Sequence, residues 1–395
     1  MNILYVTPMW SGLKDLILEG KTEPRGMPAF LRPLKRLRDE GHQVTLLVGT
    51  PTPEQPLVIS VPWLVKEDVI CVKWQANGTQ KLLSPWRMYQ AVRQQLKLKS
   101  YDFVYGHGSL SVVGNLAANH ANVPCGMRLY GTFLADKATG GPATQVRKQH
   151  PLEYYAYRLP KKFMLMTNDG TRGNHVYEAL CPKQTEPPYR FHFWLNGVEP
   201  TKSEGRKTAE DQPFLFFPAR LARWKQQHLA VELLHELHEK GHKTLRLQFA
   251  GHIQDHAYWK EIQARAKQLG LERYVTHIGT RPAQEMAQLY NDAFAVLSLY
   301  QVSNLGNVSI EALANGALVA ALKDGSLDEV IVDGENGLLF SDTKEGADKL
   351  AALLADPSAT ARIREEALRR AGTSFDSWSE RITREMDLIE AAVQT

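Results

Sequence analysis

The stretch Ser303-Asn304-Leu305-Gly306-Asn307-Val308-Ser309-Ile310-Glu311-Ala312-Leu313-Ala314-Asn315-Gly316 decides how this chain is read. It follows an apolar run, Ala295–Leu299, that reads as a buried strand, and it opens a helix that Gly316 stops as a C-terminal cap. Gly306, at the helix start, lets the backbone come close to a ligand. The first N–H groups of a helix lack internal partners and carry partial positive charge, so this geometry suits a phosphate. Glu311 lies about 12 Å further along the helix than Ser303, at 1.5 Å per residue. A carboxylate there can accept hydrogen bonds from vicinal hydroxyls such as those of a ribose. The plain alternative, an ordinary helix with a solvated glutamate, stays open on these residues alone.

Working outward, Phe214–Phe217 reads as another buried strand, and Pro218-Ala219-Arg220-Leu221-Ala222-Arg223-Trp224-Lys225 leaves its carboxyl end. If this loop turns, Arg220 supplies a forked donor and Lys225 a point charge to one place. Two cations beside a helix N-terminus make a receptor for a diphosphate; a pair of exposed basic residues is the plain alternative.

The rest of the chain alternates short apolar runs with helix-period segments. Strands are expected at Ile3–Thr7, Val44–Val48, Val69–Trp74, Phe103–Tyr105, Cys125–Tyr130, Phe163–Met166 and Phe191–Trp194, with helices such as Pro28–Glu40, Pro85–Leu98 and Ser109–Ala121 between them. After a polar tract bounded by Pro200 and Pro213, strands resume at Phe214–Phe217, Leu245–Ala250, Val275–Ile278, Ala295–Leu299 and Leu318–Ala320. Such alternation builds parallel sheets covered on both faces. The expectation is an α/β chain of two Rossmann-like doubly wound domains, residues 1–199 and 214–375, joined by a linker at 200–213 and closed by a helix over 376–395. In such folds ligands sit outside the carboxyl ends of the strands.

These motifs, in this order, resemble the GT-B retaining glycosyltransferases of family 4. The similar parts are Ala219-Arg220-Leu221 with Lys225, Phe249-Ala250-Gly251, His277-Ile278-Gly279 before Met286–Tyr290, Asn304–Gly316, and Val332-Asp333-Gly334-Glu335-Asn336-Gly337-Leu338-Leu339. Gly41-His42-Gln43-Val44 and Asn196-Gly197-Val198 add to them in the first half. The resemblance implies two domains facing across a cleft and a nucleotide-sugar donor bound by the second. Arg220 and Lys225 would be the catalytic cations that neutralise the departing diphosphate. Glu311 would hold the ribose, backbone near Gly279 and Arg281 would face the base, and Gly306 and Asn307 would lie against the phosphates. Gly251, Ser303, Asn304 and Leu305 complete the implied donor side, and the last helix would return to the first domain. The sugar or acceptor side would include Gly26 and Tyr130, and His107, which follows a strand, is a further candidate to line the cleft, against a plain loop histidine.

Three departures concern that sugar and acceptor end. The first of the family's two glutamates is replaced by Ser303. Its His-Gly pair appears as Tyr130-Gly131, and its first glycine-rich loop is reduced to Arg25-Gly26-Met27. The implied activity is retaining transfer from a nucleotide diphosphate sugar, a uridine donor first and guanosine diphosphate mannose next. The acceptor would be a carbohydrate, a lipid-linked or a small molecule in cell-surface polysaccharide, glycolipid or secondary-metabolite assembly. The competing reading is a nucleotide-binding scaffold with little catalysis that serves as a partner subunit.

Composition narrows the partners. No D-x-D occurs, so no metal or other cofactor is expected. Cys71, Cys125 and Cys181 form no C-x-x-C pair, and the sequence starts without a signal-peptide pattern, so a cytoplasmic enzyme is expected. Residues 1–200 carry 24 Lys/Arg against 15 Asp/Glu, whereas residues 201–395 carry 23 against 28. The basic half anticipates an anionic partner, such as an acidic acceptor or the inner face of the cell membrane, rather than nucleic acid. The aromatic and basic segment Arg147–Lys162 is the candidate membrane contact, against a tyrosine-rich helix packed on the core. His235, His238 and His242 read as a solvated helix face.

Overall fold

The computed structural model describes residues 1–394 apart from 25, 27, 76–82, 142, 182–188 and 200–212, so the expected linker, Pro213 aside, lies outside the described residues. Two compact units are present. One comprises Met1–Asn168, Arg172–Asn196 and Ser379–Thr395; the other comprises Asp169–Thr171 and Gly197–Trp378.

The first unit holds a seven-stranded sheet: β1 (Asn2–Pro8), β2 (Gln43–Thr50), β3 (Val69–Lys73), β4 (Phe103–His107), β5 (Cys125–Leu129), β6 (Phe163–Thr167) and β7 (Arg190–Trp194). The order is β3-β2-β1-β4-β5-β6-β7 with every pair parallel. Alternate residues of one strand feed opposite faces. Ile3 and Tyr5 join a core with Leu46, Val48, Phe103 and Tyr105, while Leu4 and Val6 join another with Leu47, Val104, Met88 and Val92. A strand apolar on both sides needs helices on both sides, which the connecting helices provide.

The second unit holds β8 (Phe214–Pro218), β9 (Arg246–Ala250), β10 (Val275–His277), β11 (Ala295–Ser298), β12 (Val319–Leu322) and β13 (Leu338–Phe340), again all parallel, in the order β10-β9-β8-β11-β12-β13. The doubly wound architecture read from the sequence is therefore present twice. Three-residue β13 was not foreseen, because Leu338–Phe340 is too short to separate from its turn by pattern. Nor does local sequence reveal that Asp169–Thr171, which follow β6, pack with the second unit.

In each sheet the chain starts centrally and reverses direction of growth, between β1 and β4 and between β8 and β11. Two loops leave the carboxyl ends at such a reversal without a helix between them, which leaves a crevice. In the second unit those loops are Ala219–Gln226 and Leu299–Gly306.

Candidate functional site

The loop after β8 turns as the two-cation reading requires. A 3-10 turn spans Arg223–Lys225, and Gln226 adopts a left-handed φ of 52° before the helix Gln227–Glu239. Fully buried Gln227 holds the loop from below, its Nε2 donating to Arg220 O at 2.9 Å. The Arg220 guanidinium lies 5.6 Å from the Trp224 ring centroid and Lys225 Nζ lies 4.1 Å from it, so both cations flank one indole. Lys225 Nζ also sits 3.3 Å from the Tyr300 ring centroid. Burial, and then the nearby Arg220 charge, pull the Lys225 pKa down to about 7. Arg223 points elsewhere, pairing with Glu261 at 2.7 Å.

The facing loop is a hydrogen-bonded frame. Asn304 Oδ1 accepts from Tyr300 N at 2.8 Å and Ser298 Oγ at 3.0 Å, and its Nδ2 donates to Tyr300 O and Leu322 O. Asn304 N donates to Asp324 Oδ2, and Leu305 N donates to Ser326 Oγ. Asn304 and Leu305 are buried, so their side chains shape the loop and leave the main chain as the part that a donor can reach. Ser303 has a left-handed φ of 55°, and its Oγ donates to Asp169 O. Gly170, at φ +80°, packs so closely on Ser303, Ser326 and Leu305 that no Cβ would fit. The serine in the glutamate's place is thus engaged with the Asp169–Thr171 turn. Gln301 N donates to Trp224 O at 3.1 Å and ties the two loops together.

Gly306 is the N-cap of the helix Asn307–Ala314, with no side-chain cap, and nothing lies within 4 Å of where its Cβ would be. The backbone is open to close approach there, as the phosphate reading requires. Half-buried Glu311 accepts at Oε2 from the hydroxyl of buried Tyr290 at 3.4 Å. Gly251 follows β9 at φ +127°, where a Cβ would lie 2.5 Å from Ala219 O; its N–H donates to Gly279 O at 2.9 Å. His277 Nε2 lies 2.7 Å from Gly251 O and fixes the same turn. Arg281 is partly exposed and sits 3.5 Å from Glu285.

The first-unit candidates fare differently. Gly26 takes a left-handed φ of 91°, and its neighbours Arg25 and Met27 lie outside the described residues. His107 ends β4 and is 1% exposed, stacked on Tyr5 at 4.5 Å and packed edge-on to Phe30 at 5.0 Å and Tyr105 at 4.4 Å. Burial holds its imidazole neutral. It is therefore sealed in an aromatic core, and a cleft-lining role is corrected. The Tyr130 hydroxyl lies 2.8 Å from His107 Nδ1, while its ring carries the Arg128 guanidinium at 4.6 Å. Beneath them Tyr105 donates to Glu385 Oε1 at 2.8 Å, and Arg128 and Arg381 approach Glu385 Oε2 at 3.6 and 3.2 Å. His238 is also corrected: it is buried, 2.9 Å from Leu245 O, and not on a solvated face.

Trp224, Tyr300, Tyr290 and Gln227 were missed by the sequence reading. Only Trp224 had a local signal, an aromatic between two cations; the others are reached through tertiary packing.

Comparison with known proteins fits this geometry. Residues 28–170 match the family model described as glycosyl transferase 4-like domain, and residues 198–370 match glycosyl transferases group 1. The chain belongs to the GT-B glycosyltransferases of family 4. A D-inositol 3-phosphate glycosyltransferase of Corynebacterium urealyticum is 33% identical over 99 residues, 25% of this chain and 23% of that protein. The chain thus aligns with about a quarter of the length of such relatives. One from Stackebrandtia nassauensis is 25% identical over 388 residues, covering 89% and 84% of the two chains. Anabaena Alr3699/HepE, solved with UDP and glucose, superposes with a TM-score of 0.68 at 20% identity and 98% coverage of both chains, a likeness of fold.

Proposed function

We propose that this glycosyltransferase moves a sugar with retention of configuration from a nucleotide diphosphate sugar, a uridine donor first and guanosine diphosphate mannose next, to an acceptor hydroxyl without a metal. The observation that carries it is the convergence of Arg220 and Lys225 on Trp224 at the β8/β11 reversal, on a loop tied through Trp224 O and Gln301 N to the one that ends at the open glycine of a helix N-terminus. The two cations stabilise the charge that grows on the diphosphate as its bond to the sugar breaks. The acceptor hydroxyl enters on the face the phosphate leaves, and a phosphate oxygen takes its proton. Glu311, steadied by Tyr290, receives the ribose hydroxyls; the turns at Gly251 and Gly279 border the base.

The UDP in Anabaena HepE supports the uridine donor, and the names of the actinobacterial relatives make D-inositol 3-phosphate the first acceptor to test. The testing experiment is a thermal-shift screen of nucleoside diphosphates and their sugars, followed by turnover of the sugar that shifts most. A ligand at 100 times its Kd stabilises by about 2.7 kcal/mol. Selective, metal-independent stabilisation by one nucleotide, lost in Arg220→Ala, together with acceptor-dependent turnover supports the reading. Binding without turnover of any donor transfers the assignment to the scaffold alternative, and no binding of any diphosphate rejects both.

A further inference from the structure

The expected membrane segment divides on folding. Within Arg147–Lys162, Tyr157 and Lys161 are buried, and Lys161 Nζ lies 3.7 Å from the Tyr189 ring centroid. The segment is two short helices, Ala143–Gln149 and Pro151–Arg158, whose Arg147, Lys148 and Tyr155 stay exposed, and a longer basic stretch free of acids lies elsewhere in the first unit. Residues 69–101 carry six Lys/Arg and not one Asp/Glu. Its longest element is the 15-residue helix Ser84–Leu98.

Ser84, Met88 and Val92 are the buried side of this helix, and Met88 and Val92 enter the core with Leu4 and Val6. Trp86, Gln90, Arg93 and Lys97 recur at spacings of four, three and four and share the opposite side. On this side Trp86 is 58% exposed, and at the two ends of the helix Leu83 is 48% and Leu98 66% exposed. Trp86 is held outward, its ring stacked on Tyr89 at 5.9 Å, and the Tyr89 hydroxyl is anchored 2.7 Å from His120 Nδ1. No carboxylate among the described residues pairs with Arg93, Lys97 or Lys99.

We propose that this face of the helix Ser84–Leu98 docks on an anionic lipid bilayer. Indole and leucine side chains enter the boundary between headgroups and acyl chains, and the unpaired cations beside them meet lipid phosphates. Charge complementarity selects an anionic partner, and the exposed leucines select a bilayer over nucleic acid, whose single strands ask for a series of stacking aromatics in a groove. The inference does not depend on the donor site, which lies in the other unit.

The test is flotation of the purified chain with vesicles of phosphatidylcholine, alone or mixed with phosphatidylglycerol, at low and high salt. The parent is expected to float with the mixed vesicles only, and less at high salt. Trp86→Ser and the Arg93→Gln/Lys97→Gln double variant are expected to weaken partitioning, by about fivefold per cation removed. All these side chains are exposed, so the melting temperature and nucleoside diphosphate binding should stay those of the parent. No flotation, equal flotation with neutral vesicles, or variants that float like the parent would overturn the proposal. So would retention of an oligonucleotide or acidic polysaccharide by a protein that ignores vesicles.

Discussion

The state of Lys225 is set by its surroundings. Its ammonium stands between two aromatic rings, beside Arg220, and its pKa in the folded chain is about 7. Above pH 7 the free protein therefore holds it mostly neutral, whereas a bound diphosphate favours the charged form. Binding should then take up a proton above pH 7, and affinity should fall by up to about tenfold per pH unit until the pKa of the complex is passed. Calorimetry in buffers of different ionisation enthalpy measures that uptake. Lys225→Arg, which stays protonated, should abolish it, and a pH-independent Kd in the parent would refute the linkage. For catalysis, Arg220→Ala and Lys225→Ala should each lower kcat by about 100-fold or more, in line with the loss of one oxyanion-stabilising donor. Tyr290→Phe keeps the packing against Phe216 and removes only the bond to Glu311. It should weaken UDP binding by about fivefold and leave binding of 2′,3′-dideoxy-UDP unchanged, since a single long hydrogen bond, worth about 1 kcal/mol, is lost.

At the scale of elements, the turns that leave the strands hold the site. Gly251 sits where β9 ends, in a φ that side chains rarely adopt, with Ala219 O only 2.5 Å from where a Cβ would stand. Gly251→Ala should cost about 2–3 kcal/mol and displace the Arg220 loop. Urea unfolding would report the loss, and a donor Kd raised beyond it would report the displaced loop. An alanine variant as stable as the parent would show that the turn relaxes. The loop before the helix Asn307–Ala314 achieves rigidity differently: Asn304 replaces several backbone partners at once, while Ser303 accepts a strained φ and leans on Asp169. Strain held by surrounding hydrogen bonds is common where a ligand must find its amides already in place.

At the scale of the whole molecule, the chain closes by returning its last helix, Trp378–Gln394, to the first unit from Ser379 onward. Glu385 on that helix stands between buried Arg128 and Arg381 and accepts from Tyr105. Glu385→Ala would leave two buried cations without their carboxylate and should cost about 3–5 kcal/mol, measured by urea unfolding; a loss below about 1 kcal/mol would show that water reaches the cluster. Most of the architecture was legible beforehand. Apolar runs alternating with helical periods, and glycines at fixed offsets after strands, are local properties of the chain, so they fixed the doubly wound class, nearly every strand and the Arg220, Lys225, Gly306 and Glu311 candidates. What the sequence could not supply is which side of a side chain's neighbourhood is closed. His107 read equally as a cleft-lining or a plain loop histidine until strands far apart in sequence packed around it. Burial, the lowered Lys225 pKa, Tyr290 behind Glu311 and the Asp169–Thr171 turn against Ser303 all depend on atoms brought together from distant positions. Those contacts are decided by the three-dimensional packing of whole sheets, and no local pattern of residues encodes them.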